Sequence, residues 1–261
     1  MCTEQDFPID WAMTQHNLGA AYADMPSGDH EQNLLKAIDY YEAALRVYKD
    51  TDFPLEWAAT QNSLGTAYHQ LPTGDLADNL DRAMDCYQAA LRVYSERDFP
   101  AEWALTQDNL GMAHASVLTG GQAGNLSTAI AHYQAALRVF NERDFPIQWA
   151  GTQRHLGQAY TDLSTGNPAE NLTNAIACYE GALRILTERE FPAEWATNQE
   201  LLGAVYASLP TGDRAENLNK AVHCFQLAIR GFERTALDDD AERVRKRLAE
   251  VRVQQRGLVG T

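Results

Sequence analysis

The stretch DFPLEWAATQNSLGTAYHQLPTGDLADNLDRAMDCYQAALRVYSER, residues 52–97, decides the fold because variants of it occupy most of the chain. Its tryptophan recurs every 46 residues in five copies, at Trp11, Trp57, Trp103, Trp149 and Trp195. Other dipeptides are constant at the same period, and in this copy they include Phe53-Pro54, Leu64-Gly65 and Asn79-Leu80. A fixed period of this length indicates a repeat architecture in which each unit packs on its neighbours.

Each copy has the pattern of two helices. The acidic residue and the Phe-Pro pair are typical of a helix start, and apolar residues at helical spacing continue to about residue 68. Glycine inside a helix costs about 1 kcal/mol relative to alanine. Its recurrence at the Gly65 position therefore predicts close approach of a neighbouring helix. A turn glycine (Gly74 here, Gly120 in the third copy) needs positive φ, and a second helix is predicted over about 79–94.

These residues resemble the tetratricopeptide repeat. Leu-Gly-x-x-Tyr on the first helix and Ala-x-x-x-Tyr-x-x-Ala on the second carry the resemblance, through Leu64, Gly65, Tyr68, Ala83, Tyr87 and Ala90. The usual period of that family is about 34 residues. The longer period here is similar to that of repeats in large bacterial multidomain proteins, which accompany caspase-like protease or nucleotide-switch domains. The resemblance implies an all-α, right-handed α-solenoid of five helix-turn-helix repeats.

The predicted repeats cover 6–51, 52–97, 98–143, 144–189 and 190–235, so that 1–235 forms one array. Residues 236–261 are predicted to form a C-terminal capping helix and tail, which brings the expected number of helices to eleven. The cap has one apolar edge, formed by Ala241, Val244, Leu248 and Val251, and a polar back that shields the end of the solenoid.

Charge and composition limit the function. The net charge of −15 argues against nucleic acid and anionic membranes as ligands, and it favours either a solvated acidic surface or a basic partner. No apolar run is long enough to span a membrane, and no secretion signal precedes the first repeat, so we expect a cytoplasmic protein. Cys86, Cys178 and Cys224 share one repeat position and are expected to be small buried hydrophobes. No metal or cofactor is predicted.

Three polar columns are constant, and the fold accounts for them without a ligand. They are the columns of Gln61, Asn79 and Arg92. We expect the glutamine to bond backbone across the helix pair, the asparagine to cap the second helix, and the arginine to reach carboxylates or carbonyls in the turns.

Variable positions on the first helix are the better candidates for binding. In the resembled family, ligands lie on a concave face lined by first helices, and some members use asparagine there, at positions that Asn17 and Asn109 match. The candidate peptide-binding residues here are His16, Asn17, Asn62, Thr66, His69, Asp108, Asn109, Met112, Arg154, Gln158, Thr161 and Glu200. Neutral drift on a solvated face is the alternative interpretation of their variability.

The sequence favours a binding protein over an enzyme. It contains no HExxH pattern and no Walker loop, and no cysteine has a catalytic partner at a suitable spacing. The leading hypothesis is a protein- or peptide-binding scaffold. The alternatives are a regulatory or sensing module of a larger effector, such as a caspase-like protease or NTPase system, and a small-molecule pocket. Because the first repeat follows the N-terminus almost directly, an upstream domain or a homodimer formed through that uncapped repeat is also expected.

Overall fold

The computed structural model describes residues 3–117 and 121–259, which contain eleven α-helices and no strand. The helices are α1 (Pro8–Ala23), α2 (His30–Ala44), α3 (Pro54–Gln70), α4 (Leu76–Ala90), α5 (Pro100–Ser116), α6 (Gln122–Ala136), α7 (Pro146–Asp162), α8 (Pro168–Ala182), α9 (Pro192–Ser208), α10 (Arg214–Arg234) and α11 (Asp238–Val259). In this described part of the chain, no helix has the length and apolarity needed to cross a membrane.

The first helix of every copy begins at the proline, as predicted, with the preceding phenylalanine at the N-cap. The second helix lies earlier than predicted. In the second copy it begins at Leu76, because the Asp75 side chain accepts hydrogen bonds from the backbone N–H groups of Ala77 and Asp78. It ends at Ala90. Beyond that residue the backbone forms hydrogen bonds between residues three apart, such as the 3.0 Å bond from the Val93 N–H to the Ala90 carbonyl.

The constant asparagine does not cap the second helix, and that expectation was wrong. Asn79 lies inside α4, and its Nδ2 donates to the Thr73 carbonyl at 2.8 Å, which fixes the turn that precedes the helix. Gly74, within that turn, has a φ of +84°. Asn33, Asn171 and Asn217 donate to the equivalent turn carbonyls. The predicted turn glycine Gly120 lies outside the described residues.

The constant glycine of the first helix lies against an aromatic ring of the second helix, which confirms the predicted close approach. A Cβ added to Gly65 would lie 2.8 Å from Cε1 of Tyr87, whose side chain is fully buried. The same contact recurs in every copy, in the pairs Gly19–Tyr41, Gly111–Tyr133, Gly157–Tyr179 and Gly203–Phe225. The absence of a side chain therefore sets the distance between the two helices of a repeat.

The chain forms two compact units, Met1–Val139 and Phe140–Thr261. In the first unit, α1/α2, α3/α4 and α5/α6 form pairs, and each pair packs on the next through α2–α3 and α4–α5. In the second unit, α7/α8 and α9/α10 pair in the same way, and α11 packs on α10. The predicted apolar edge of α11 is buried. This order of consecutive helix pairs confirms the helical-repeat solenoid fold.

Consecutive copies are joined by an arginine that lies between a tryptophan and a carboxylate. The guanidinium carbon of Arg138 lies 5.1 Å from the centre of the Trp103 ring, and its Nη2 bonds Glu96 at 2.7 Å. The arginines of the other copies make the same two contacts, in Arg46–Trp11–Glu4, Arg92–Trp57–Asp50, Arg184–Trp149–Glu142 and Arg230–Trp195–Glu188. The carboxylate contact confirms the expectation for this column, and the tryptophan contact is an additional finding.

Replacement of Gly65 by alanine should destabilise the protein by about 1–3 kcal/mol, because the new methyl group overlaps the buried ring of Tyr87. The matched control is Gly151→Ala in α7, where a Cβ meets nothing within 4 Å. That change should stabilise the protein by about 0.5–1 kcal/mol through helix propensity. Urea unfolding followed by circular dichroism measures both, and equal effects of the two substitutions would contradict the packing account.

Candidate functional site

The twelve predicted binding residues differ in burial: some are exposed, some half-buried and some buried. Asn17 is exposed, whereas Asp108, Asn109 and Glu200 are buried. The remaining eight are half-buried, namely His16, Asn62, Thr66, His69, Met112, Arg154, Gln158 and Thr161. Partners within the protein explain most of this burial, and the binding role of each residue stays a prediction.

In the first unit, several of these side chains connect consecutive first helices. Nδ1 of His16 lies 3.0 Å from Oγ1 of Thr60, and burial lowers the pKa of this histidine. One repeat later, Oδ1 of Asn62 accepts hydrogen bonds from Thr106 and Asn109, both at 3.2 Å. The column that begins at His16 therefore contributes to contacts between copies.

The next positions along these helices are also engaged. The Tyr87 hydroxyl donates to Oγ1 of Thr66 at 3.3 Å, and Nε2 of His69 lies 3.1 Å from the hydroxyl of Ser116. In the second unit, Nε2 of Gln158 donates to Asp162 at 2.8 Å, and the Thr161 hydroxyl donates to the Gly157 carbonyl at 2.8 Å.

The carboxylate of Glu200 is bound by the C-terminal helix. Arg243 and Arg247 of α11 donate to it at 2.7 Å and 3.1 Å, and the glutamate residue is only 5% exposed. These partners lie 43 and 47 residues after Glu200, and the partners of Asn62 lie 44 and 47 residues after it. For Glu200, α11 therefore supplies the hydrogen-bond partners that the first helix of the following repeat supplies for Asn62.

The third copy contains a histidine pair where the second, fourth and fifth copies have tyrosine and cysteine and the first copy has two tyrosines. The rings of His114 and His132 stack with their centres 5.3 Å apart and an angle of 10° between their planes. Nδ1 of His132 lies 2.6 Å from Oε1 of Gln107, so this member of the constant glutamine column bonds a side chain of the paired helix, and the expectation of a backbone partner was wrong here. Burial lowers the pKa of both histidines, and the proximity of His114 lowers that of His132 further.

The three cysteines at the shared repeat position are buried, as predicted, and are poor nucleophiles. Cys86, Cys178 and Cys224 are 6–8% exposed. Burial raises the pKa of the Cys86 thiol to about 12 and those of the other two to about 11. Among the described residues, no group of three or more His, Cys, Asp or Glu side chains is placed to hold a metal ion.

A cavity of about 520 Å³ lies beside α9 and α10 in the second unit, and Glu180, Tyr206, Glu216 and Lys220 are among the residues that line it. Its charged groups already have partners. The Tyr206 hydroxyl donates to Glu180 at 2.8 Å, and Lys220 pairs with Glu216 at 2.8 Å. Glu216 and Lys220 therefore neutralise each other, whereas Glu180 is held only by a neutral hydroxyl, and these contacts do not identify a particular small-molecule ligand.

Comparison of the chain with the models of known protein families and with characterised proteins finds no match.

The histidine pair should make stability depend on pH. Because the folded-state pKa of each ring is lowered, the unfolded chain binds more protons once the pH falls below about 6.5. The stabilisation is complete above that pH and decreases as the pH falls towards the folded-state pKa values.

The test compares the wild type with His114→Tyr/His132→Cys, which installs the residues that the second, fourth and fifth copies contain. Between pH 7.5 and 5.5, the wild type should lose more unfolding free energy than the variant, because only the wild type has these two histidines. Urea titrations at each pH measure this difference, with His16 present in both proteins. Identical pH slopes would show that the pair has no such effect.

Proposed function

We propose that this protein is a tetratricopeptide-like scaffold that binds a protein or peptide with the exposed face of its first helices. One observation carries the proposal: the glycine, tryptophan, asparagine and arginine of the constant columns all maintain the fold. The glycine admits the ring of the second helix, the asparagine holds the turn, and the arginine joins consecutive copies. Selection for a ligand then acts where the copies differ.

The chemistry of the side chains supports binding over catalysis. The thiols of Cys86, Cys178 and Cys224 are buried and have raised pKa values, and the buried carboxylate of Glu200 is neutralised by two arginines. The stacked histidines His114 and His132 are held by packing and by Gln107. A face that varies between regular helices suits recognition of an extended surface of another protein, which needs many modest contacts.

The test is capture of a partner with the wild-type protein, followed by measurement of its affinity after purification. The variant Asn17→Ala/Arg154→Ala/Gln158→Ala changes the candidate face at positions that are exposed or half-buried. We expect it to weaken binding at least about fivefold, or about 1 kcal/mol.

The matched control is Asp81→Ala/Gln88→Ala, two exposed residues on the second helix α4, which should change the affinity less than about twofold. Recovery of no specific partner, or an equal loss of affinity in both variants, would contradict the proposal.

A further inference from the structure

Large apolar side chains are exposed on the first helices of the first unit. Leu55 of α3 is 43% exposed and Leu105 of α5 is 44% exposed. Ile9 and Met13 of α1 are 52% and 51% exposed. Ile9 and Leu55 share one repeat position, and Met13 and Leu105 share the position one turn later, so all four lie on equivalent helix faces. We call these four residues the apolar row.

The exposure of the apolar row is not an effect of the end of the array. Leu55 lies on α3, which has the pair α1/α2 before it and the pair α5/α6 after it. At the constant leucine position, by contrast, Leu64 and Leu110 are 5% and 2% exposed. Nor does the repeat itself require large apolar side chains in the row, because the fifth copy has Ala193 and Thr197 there.

Carboxylates accompany the apolar row. Asp10, Glu56 and Glu102 are exposed, each lies next in sequence to the first position of the row, and none forms a salt bridge with a described basic side chain. Carboxylates of consecutive copies act on the same tyrosine. Burial raises the pKa of Tyr48, and the charges of Glu56 and Asp10 raise it further. Burial, together with the charges of Glu102 and Glu56, raises the pKa of Tyr94 to about 12.

A place in the first helical turn favours such carboxylates through the helix dipole. That effect does not require an acid, since the fourth copy has Gln148 at this position. The exposed apolar side chains beside unpaired negative charge are complementary to a segment that is both apolar and basic.

We propose that the apolar row and its three carboxylates bind a basic, apolar peptide segment that crosses the N-terminal halves of α1, α3 and α5. This inference rests on the scaffold function proposed above and specifies its partner. Packed neighbouring helices are about 8–10 Å apart, and an extended chain advances about 3.3 Å per residue. An apolar side chain at every third residue therefore meets successive first helices, and Lys or Arg between them meets the carboxylates.

The experiment uses the whole protein and a fluorescent peptide of about 12 residues, an extended length that spans three helices, with Leu at every third position and Lys between. A peptide with Glu in place of Lys is the charge control. We expect at least about tenfold tighter binding of the Lys peptide, measured by anisotropy, with a loss of affinity as salt is raised.

Two variants locate the site. Leu55→Gln/Leu105→Gln and Glu56→Gln/Glu102→Gln should each weaken binding at least about fivefold. Leu76→Gln, which changes a leucine that is 59% exposed on α4, should leave binding unchanged. The inference is overturned if the Lys and Glu peptides bind alike, if Leu55→Gln/Leu105→Gln binds as tightly as the wild type, or if Leu76→Gln weakens binding equally.

A second copy of the chain is the competing occupant of the apolar row. Measurement of mass in solution tests it, because a dimer that Leu55→Gln/Leu105→Gln converts to a monomer would also overturn the inference. The scaffold function is separable from this result. A captured partner whose affinity depends on Asn17, Arg154 and Gln158 but not on Leu55 supports the scaffold and refutes the basic peptide.

Discussion

The contact between a first-helix glycine and an aromatic ring of the second helix is the constraint on which the rest of the structure depends. At Gly65 the ring of Tyr87 occupies the space that any side chain would need, and the contact recurs in all five copies. It fixes which faces of the two helices meet, and so which residues remain on the outer surface. The turn then closes around Gly74 and Asn79, and from the second copy onward the arginine stacked on tryptophan connects each copy to the one before it.

Because the constant polar residues maintain the fold, they are poor evidence of a ligand site. Arg138 is about half exposed and charged, which makes it look available, yet it is occupied by Trp103 and Glu96. Asn79 is buried and bonded to a turn carbonyl. The surfaces that remain are those where the copies differ, and in the first unit these combine apolar side chains with unpaired carboxylates.

Much of the fold could be predicted from the chain itself because five copies act as an internal alignment. The period, the two helices per copy, the close approach at glycine and the buried edge of α11 all follow from residue spacing. The second-helix boundaries and the role of Asn79 could not, because Asp75 and Asn79 are both suitable caps and only the turn geometry distinguishes them.

The site was harder to predict than the fold for a geometric reason. His16 and Met13 differ by only about 60° around α1, yet His16 bonds the next first helix and Met13 is exposed. Sequence periodicity identifies the face that meets the second helix, but it does not show where the next repeat lies. Glu200 illustrates the same limit, since its variable column suggested a ligand and its two arginine partners come from α11.

Amide hydrogen exchange of the protein with and without a bound partner tests the central claim most directly, namely that constant residues build the array and the outer face of the first helices binds. We expect slower exchange on binding in the first helices, with little change in the second helices such as α2 and α4. Protection confined to the second helices or to the turns would contradict it.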